Sequence, residues 1–197
     1  LVEKEKYFQF VLFRQWAELQ KYCRNNGIRI FGDVALYVNH DSADVWAHPE
    51  FFKLDQEMKP VVVAGVPPDY FSVTGQRWGN PVFDWNILRE NNFLLWLERL
   101  KHSLNLFDLI RIDHFRGFLA AWEIPGSDST AENGRWQECP GVEFFSRLLK
   151  EFESIPVVAE DLGVITQDVK DAMLQFGFSG VKLLIFAFDG DISQNPY

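Results

Sequence analysis

Residues 107–118 read F-D-L-I-R-I-D-H-F-R-G-F, and no other stretch constrains the chain as strongly. Phe107, Leu109, Ile110 and Ile112 form an apolar run that suits a strand covered on both faces, as in a parallel sheet. Its end is polar: Arg111, Asp113, His114 and Arg116 fall within six residues, and Gly117 follows. A buried strand with two arginines, an acid and an imidazole at its mouth carries either a structural ion network or a reaction centre. In α/β barrels the C-terminal strand ends are where active sites sit. Asp113 is therefore the candidate chemical centre.

Around this strand, helical and extended patterns alternate. Tyr7, Val11, Leu12, Trp16, Leu19 and Cys23 have helical spacing, and Asn25-Asn26-Gly27 is a stop signal. Residues 28–38 read as a strand holding Asp33, a charged group that needs a partner there. Residues 39–92 read as a long inserted region. Within it, residues 65–81 carry three Pro, three Gly and three aromatics, which predicts a loop with fixed turns and exposed rings. Helical spacing returns at 93–104 and again at 142–152, with a second loop between 120 and 140. Residues 156–159 are a short strand closed by Glu160-Asp161. Thr166 is placed to cap a helix running to Phe176. A last apolar strand, 181–188, ends at Asp189. The alternation predicts a parallel sheet, either a barrel or an open doubly wound sheet. No Gly-rich phosphate turn follows any strand, which removes the usual dinucleotide site.

Composition narrows the partners. The chain has 197 residues, 47% hydrophobic and 24% charged, as expected of a globular domain. A net charge of −9 argues against nucleic acid or an anionic membrane as partner. Nineteen Phe and 7 Trp supply either a large aromatic core or flat platforms for sugar rings. Cys23 and Cys139 have no metal spacing and read as free thiols in a reducing compartment. No run approaches roughly eighteen apolar residues, the length a spanning helix needs. The charged start at residues 3–6 shows no leader pattern. The chain opens on Leu1 and stops soon after a strand, so both edges look like cuts through a longer protein.

Two carboxylates at equivalent ends of neighbouring parallel strands can stand about 5–6 Å apart, the separation retaining glycosidases use. Arg111 lies two residues before Asp113, on the same strand face. A guanidinium there favours the anion and makes Asp113 the nucleophile candidate. Glu160 leaves an apolar strand with no adjacent cation. Burial raises its pKa and suits an acid/base catalyst, and Asp161 is placed to push the same way. By spacing alone, Arg111–Asp113 is more often a structural ion pair than a catalytic one. Tyr70 and Trp78 fit packing as well as sugar stacking, and His114 fits either a structural role or a substrate donor.

The motifs F-D-L-I-R-I-D-H-F-R-G-F, V-V-A-E-D-L-G-V-I-T and G-V-P-P-D-Y-F-S-V-T-G-Q-R-W-G-N-P closely resemble those of the 4-α-glucanotransferases, also called amylomaltases or disproportionating enzymes. G-D-V-A-L-Y-V-N-H-D-S-A-D-V-W-A-H-P-E-F-F, from Gly32, resembles another block of that family. The resemblance covers almost the whole chain in order. It implies an α-amylase-like (β/α)₈ TIM barrel, present here only in part: roughly strands three to six, with residues 39–92 inserted and residues 1–197 belonging to one catalytic domain. It implies Asp113 as nucleophile and Glu160 as general acid/base of a two-step retaining transfer. Arg111 and His114 would contact substrate, Tyr70 and Trp78 would lie on a lid over the acceptor sites, and Asp33, Asp69 and Asp189 would be substrate-contacting acids. The implied partners are maltooligosaccharides and α-1,4-glucans, with no metal or organic cofactor. The implied location is the cytoplasm, or a plastid for a plant or algal source. The family's third catalytic carboxylate, an Asp after a His, would lie beyond Tyr197. Half a barrel with open edges is expected to be inactive and poorly soluble alone. The alternatives are an α-glucan hydrolase of the same barrel and a fragment that only binds glucan.

Overall fold

The computed structural model describes residues 1–70, 72–152 and 154–188. Helix α1 (Val2–Asn25) gives way to Gly27, whose φ of 68° breaks the helical path. β1 (Phe31–Val34), the short α2 (Ala43–Ala47), β2 (Val62–Val66), β3 (Gln76–Pro81), α3 (Trp85–Glu90) and α4 (Leu94–Leu106) follow. Then come β4 (Leu109–Ile112), β5 (Ala120–Pro125), β6 (Arg135–Glu138), α5 (Gly141–Glu151), β7 (Val157–Ala159) and α6 (Gln167–Phe176).

Two sheets form. β1, β4 and β7 make a parallel sheet in the order β1-β4-β7, with Asp33 opposite Arg111 and Ile112 opposite Ala159. Helices α4 and α5 precede β4 and β7, the crossovers that parallel neighbours require. The second sheet is antiparallel, in the order β3-β2-β5-β6. The expectation of a single parallel sheet is thus corrected to a mixed α/β architecture, and the described residues contain no closed barrel.

The antiparallel sheet also corrects two predicted loops. Much of 65–81 is a β2–β3 hairpin with a register shift between Val63 and Gly65, and much of 120–140 is a β5–β6 hairpin. The inserted region 39–92 therefore carries regular structure, including α2 and α3. These strands hide in the sequence because β2, V-V-A-G-V, does not alternate: three consecutive residues are buried. Gly65 is needed there, since a Cβ would fall 2.1 Å from the Gln76 carbonyl oxygen of the paired strand.

The predicted strand 28–38 shrinks to four residues because its partner does. The Asp113 N–H donates to the Val34 carbonyl (3.0 Å), and β4 then turns away at His114. The predicted strand 181–188 is instead a 3₁₀ turn over Leu184–Phe188, with Leu184 and Ile185 exposed. Strand-like pairing with β7 occurs earlier, at Ser179, whose carbonyl takes the Ala159 N–H (2.8 Å). Thr166 precedes α6 as predicted, but its side chain makes no cap bond; its hydroxyl accepts from Arg116 instead.

The aromatic residues divide between a large buried core and the surface. Trp96, Phe83, Phe115, Phe118, Phe144 and Phe145 are fully buried, with Phe118 stacked on Phe144 (5.4 Å between centroids) and Phe115 on Phe145 (5.2 Å). Phe115 and Phe118 belong to the turn directly after β4, so this cluster anchors the chain that follows Asp113. Phe118→Ala is expected to destabilise by about 3–5 kcal/mol, read as a shifted denaturant midpoint at unchanged m-value. Helix α1 differs from the others: it buries no residue, and Tyr7, Phe8, Phe10, Leu12 and Phe13 are exposed. It is fastened near its end by Trp16 and Gln20, which both donate to the Leu106 carbonyl (3.0 Å). No helix among the described residues is long and apolar enough to cross a membrane.

Candidate active site

The register of the parallel sheet builds the site. Ile112 and Ala159 are paired, so the next residues, Asp113 and Glu160, leave adjacent strands side by side at the same end. The Glu160 N–H still donates to the Ile112 carbonyl (2.9 Å). Their backbones therefore stand about 5 Å apart, the spacing of neighbouring strands.

Arg111 joins the acids of two strands. Its Nη1 donates to Asp33 Oδ1 at 2.8 Å and its Nη2 to Asp113 Oδ1. Asp33, the charge inside a predicted strand, thus has its partner one strand away. Arg111 and Asp113 share a face because side chains two apart on a strand point the same way. The Asp113 side chain stays 39% exposed, so the carboxylate is reachable from solvent.

His114 has a left-handed backbone, φ 48°. A non-glycine residue rarely adopts this, and such residues cluster at functional sites. The twist points the His114 N–H at Glu160 Oε2 (2.9 Å), while the Leu162 N–H holds Oε1 (2.8 Å). Glu160 is 9% exposed. Burial raises its pKa; the two backbone donors oppose that shift, Asp113 reinforces it, and Arg111 weakly counters it. Two details depart from the sequence reading. The carboxylate that raises Glu160 is Asp113; Asp161 instead accepts the Val181 N–H (2.7 Å). A cation, Arg111, is also within electrostatic reach although none is adjacent in sequence.

The His114 ring lies edge-on to Trp78, 4.9 Å between centroids, and beside Tyr37 at 6.2 Å; Tyr37 and Trp78 stand 6.1 Å apart. Burial, aided by Arg116, lowers the His114 pKa to about 4, so the imidazole is neutral near pH 7. Its Nε2 is buried without a hydrogen-bond partner. Trp78, 39% exposed on β3, thus reaches the strand-end site through His114. Asp69 accepts the Ser72 N–H (2.8 Å) in the turn between β2 and β3, and neighbouring Tyr70 is largely exposed. Neither is placed against the strand-end acids by any contact described here. Asp189 lies outside the described residues.

Sequence reasoning overlooked Tyr37 and the pair Lys53–Glu123 (2.6 Å, with Glu123 2% exposed), and it noted Arg116 without giving it a role. Tyr37 lies inside the predicted strand 28–38 but beyond the end of β1 at Val34. Lys53 and Glu123 are seventy residues apart, and no local pattern joins them. A cavity of about 290 Å³ lined by Lys53, Trp85, Arg89 and Cys139 lies away from the strand-end acids; Lys53 is bonded to Glu123, and Arg89 to Glu143 (2.7 Å). Both cysteines are free thiols, and burial pushes Cys139 up to about 12.

The arrangement can divide labour between two carboxylates, one ion-paired and open, the other buried and poised to hold a proton. The glycoside hydrolase 77 family model, described as 4-alpha-glucanotransferase, matches residues 1–197. A 4-alpha-glucanotransferase of Thermus thermophilus is 54% identical over 189 residues, 96% of this chain and 38% of that protein. One of a Synechocystis strain is 52% identical over 194 residues, 98% of this chain and 38% of that protein. Among solved structures, the amylomaltase from Streptococcus agalactiae in complex with acarbose superimposes with a TM-score of 0.90 at 39% identity, covering 95% of this chain and 38% of that one. The chain thus spans 38% of the length of these relatives. With a family match along its whole length, this polypeptide belongs to the 4-α-glucanotransferase family.

Proposed function

We propose that these residues are part of the catalytic domain of a 4-α-glucanotransferase, which moves a segment of a 1,4-α-glucan onto the 4-hydroxyl of an acceptor glucan or glucose by retaining double displacement. The observation that carries this reading is the pairing of Asp113 and Glu160 at one end of adjacent parallel strands, the first on a guanidinium, the second buried under two N–H donors.

In the first step the Asp113 carboxylate attacks the anomeric carbon and forms a glycosyl ester. The glycosidic oxygen leaves with the proton of Glu160. In the second step Glu160 takes the proton of an acceptor 4-hydroxyl, whose oxygen attacks the same carbon and releases Asp113. Two inversions retain the α configuration. Arg111 orients Asp113, with Asp33 fixing the other side of the guanidinium. His114 and Trp78 present a neutral imidazole and an aromatic face to sugar, and Tyr70, Asp69 and Asp189 complete the substrate contacts. Transfer outruns hydrolysis only when the acceptor hydroxyl is held and water kept out, a task for the aromatic β2–β3 hairpin. The scheme calls for no metal or organic cofactor, nucleic acid or membrane. The acarbose complex of the streptococcal relative is consistent with a glucan partner. The free thiols favour a reducing compartment such as the cytoplasm or a plastid stroma.

The parallel order β1-β4-β7 supports a segment of a (β/α)₈ barrel, residues 1–197 forming one part of that domain with the antiparallel sheet inserted. The exposed apolar face of α1 and the open edge of β1, with Phe31 54% exposed, are surfaces for the remaining strands and helices to cover. Incubating the intact enzyme with maltotriose tests the activity. Glucose together with chains longer than the substrate is expected. Only shorter sugars would mean an α-glucan hydrolase, and no turnover a binding module.

A further inference from the structure

Arg116, at the polar end of the 107–118 stretch, is given no task by the mechanism above. It leaves the turn after β4, two residues beyond His114, and reaches across to the connection between β7 and α6. Its Nη1 donates to the Val164 carbonyl (3.0 Å) and to Thr166 Oγ1 (2.8 Å). Its guanidinium lies over the Trp136 ring of β6 at 4.0 Å, while its Nε is buried without a partner.

The segment it grips is the one that holds Glu160. Residues 161–166 start from the Glu160 backbone, which is tied to β4 by Glu160 N–H to Ile112 (2.9 Å) and by Phe115 N–H to the Glu160 carbonyl (3.1 Å). They end at Val164 and Thr166, tied only by Arg116 among the side-chain bonds described. Between the two ties lies Leu162, whose N–H holds Glu160 Oε1. Gly163, with φ 82° and no atom within 4 Å of a Cβ placed on it, adds no side chain to brace this turn, which is otherwise held by Asp161 and by Ile165 against the core.

We propose that Arg116 is a positioning residue for Glu160: by pinning Val164 and Thr166 it keeps the Leu162 N–H on the Glu160 carboxyl and so keeps that carboxyl aimed at the glycosidic oxygen. The proposal rests on the acid/base role given to Glu160 above. The groups that face Glu160 are Asp113 and Arg111 from β4, the neutral His114 and, next in its own turn, Asp161, which is occupied with the Val181 N–H. None of these is hydrogen-bonded to Arg116, which reaches Glu160 through the turn and touches His114 only by charge, lowering its pKa.

The test compares kcat/KM for two donors in the intact enzyme. A maltooligosaccharide leaves as a poor alkoxide and needs the acid; a 4-nitrophenyl maltooligoside leaves as a stabilised phenolate and barely does. Arg116→Met is expected to lose about 100-fold on the first donor and less than about 5-fold on the second. Its alkaline limb on the natural donor moves to higher pH, because losing an N–H donor to the carboxylate disfavours the anion. Arg116→Lys keeps a donor for Val164 and Thr166 but loses the planar contact with Trp136, so on the natural donor it should fall between wild type and Arg116→Met. Thr166→Val, the milder change, should shift the donor ratio about 3-fold or more in the same direction, and it decides the matter should Arg116→Met not fold. Equal losses on both donors, an unmoved alkaline limb, or a Lys variant as damaged as Met would overturn the proposal. Glu160→Gln serves as the reference. If it shows the donor-dependent loss and Arg116→Met does not, only the Arg116 role falls; if it lacks that pattern, the acid/base assignment falls with it.

Discussion

Asp113→Asn in the intact enzyme is expected to lower glucan transfer by about 10⁴-fold, with the fold intact. The amide cannot form the glycosyl ester, and no other described carboxylate stands where Asp113 does, at the end of β4 with its oxygen on Arg111. The loss should hold for natural and activated donors alike, because the nucleophile is needed whatever leaves. Arg111 keeps its second bond, to Asp33 (2.8 Å), so the site should not collapse. Asp113→Ala sharpens the test. Azide in the emptied space would attack an activated α-donor directly and yield the β-glycosyl azide, a single inversion. Activity within tenfold of wild type for Asp113→Asn, or an α-azide from Asp113→Ala, would remove Asp113 from the role.

Glu160→Gln should behave differently. On a maltooligosaccharide a loss of about 10²–10⁴-fold is expected, the range for a general acid. On a nitrophenyl donor the first step should survive and the glycosyl-enzyme accumulate, because no base remains to activate the acceptor. Azide needs no such base, and should release the trapped sugar as the α-glycosyl azide. The opposite configurations from the two variants form one measurement of which acid attacks and which shuttles the proton. The structural basis is the contrast in surroundings: Asp113 is partly open and ion-paired, whereas Glu160 is 9% exposed and raised by burial. In wild type the raised pKa keeps Glu160 protonated to higher pH, so donor cleavage should fall as pH rises through that value. The Gln variant should lose this alkaline limb.

How much of this was legible beforehand depends on sequence separation. Arg111 and Asp113 are two apart on one strand, and alternation alone puts them on one face. Thr166 and Gly27 mark helix ends by local backbone preferences. The antiparallel sheet was not legible, because β2 pairs with β5 across a long stretch of chain and neither strand shows a clean alternation. The 181–188 run misled for the related reason that apolar content does not specify whether a neighbour is there to pair with.

By itself the sequence determined the family, the parallel pairing around residues 107–113 and the local pairing of a guanidinium with the acid two residues on, all of which follow from short-range spacing or from motifs taken in order. Only the tertiary structure decided that Glu160 lies beside Asp113, that the His114 N–H bonds it from 46 residues away, and that Arg116 closes the turn behind it. Those contacts depend on the register of β4 against β7 and on a left-handed residue at the strand end. Register and backbone twist are settled by hydrogen bonds and packing between distant segments, which no local pattern of residues encodes.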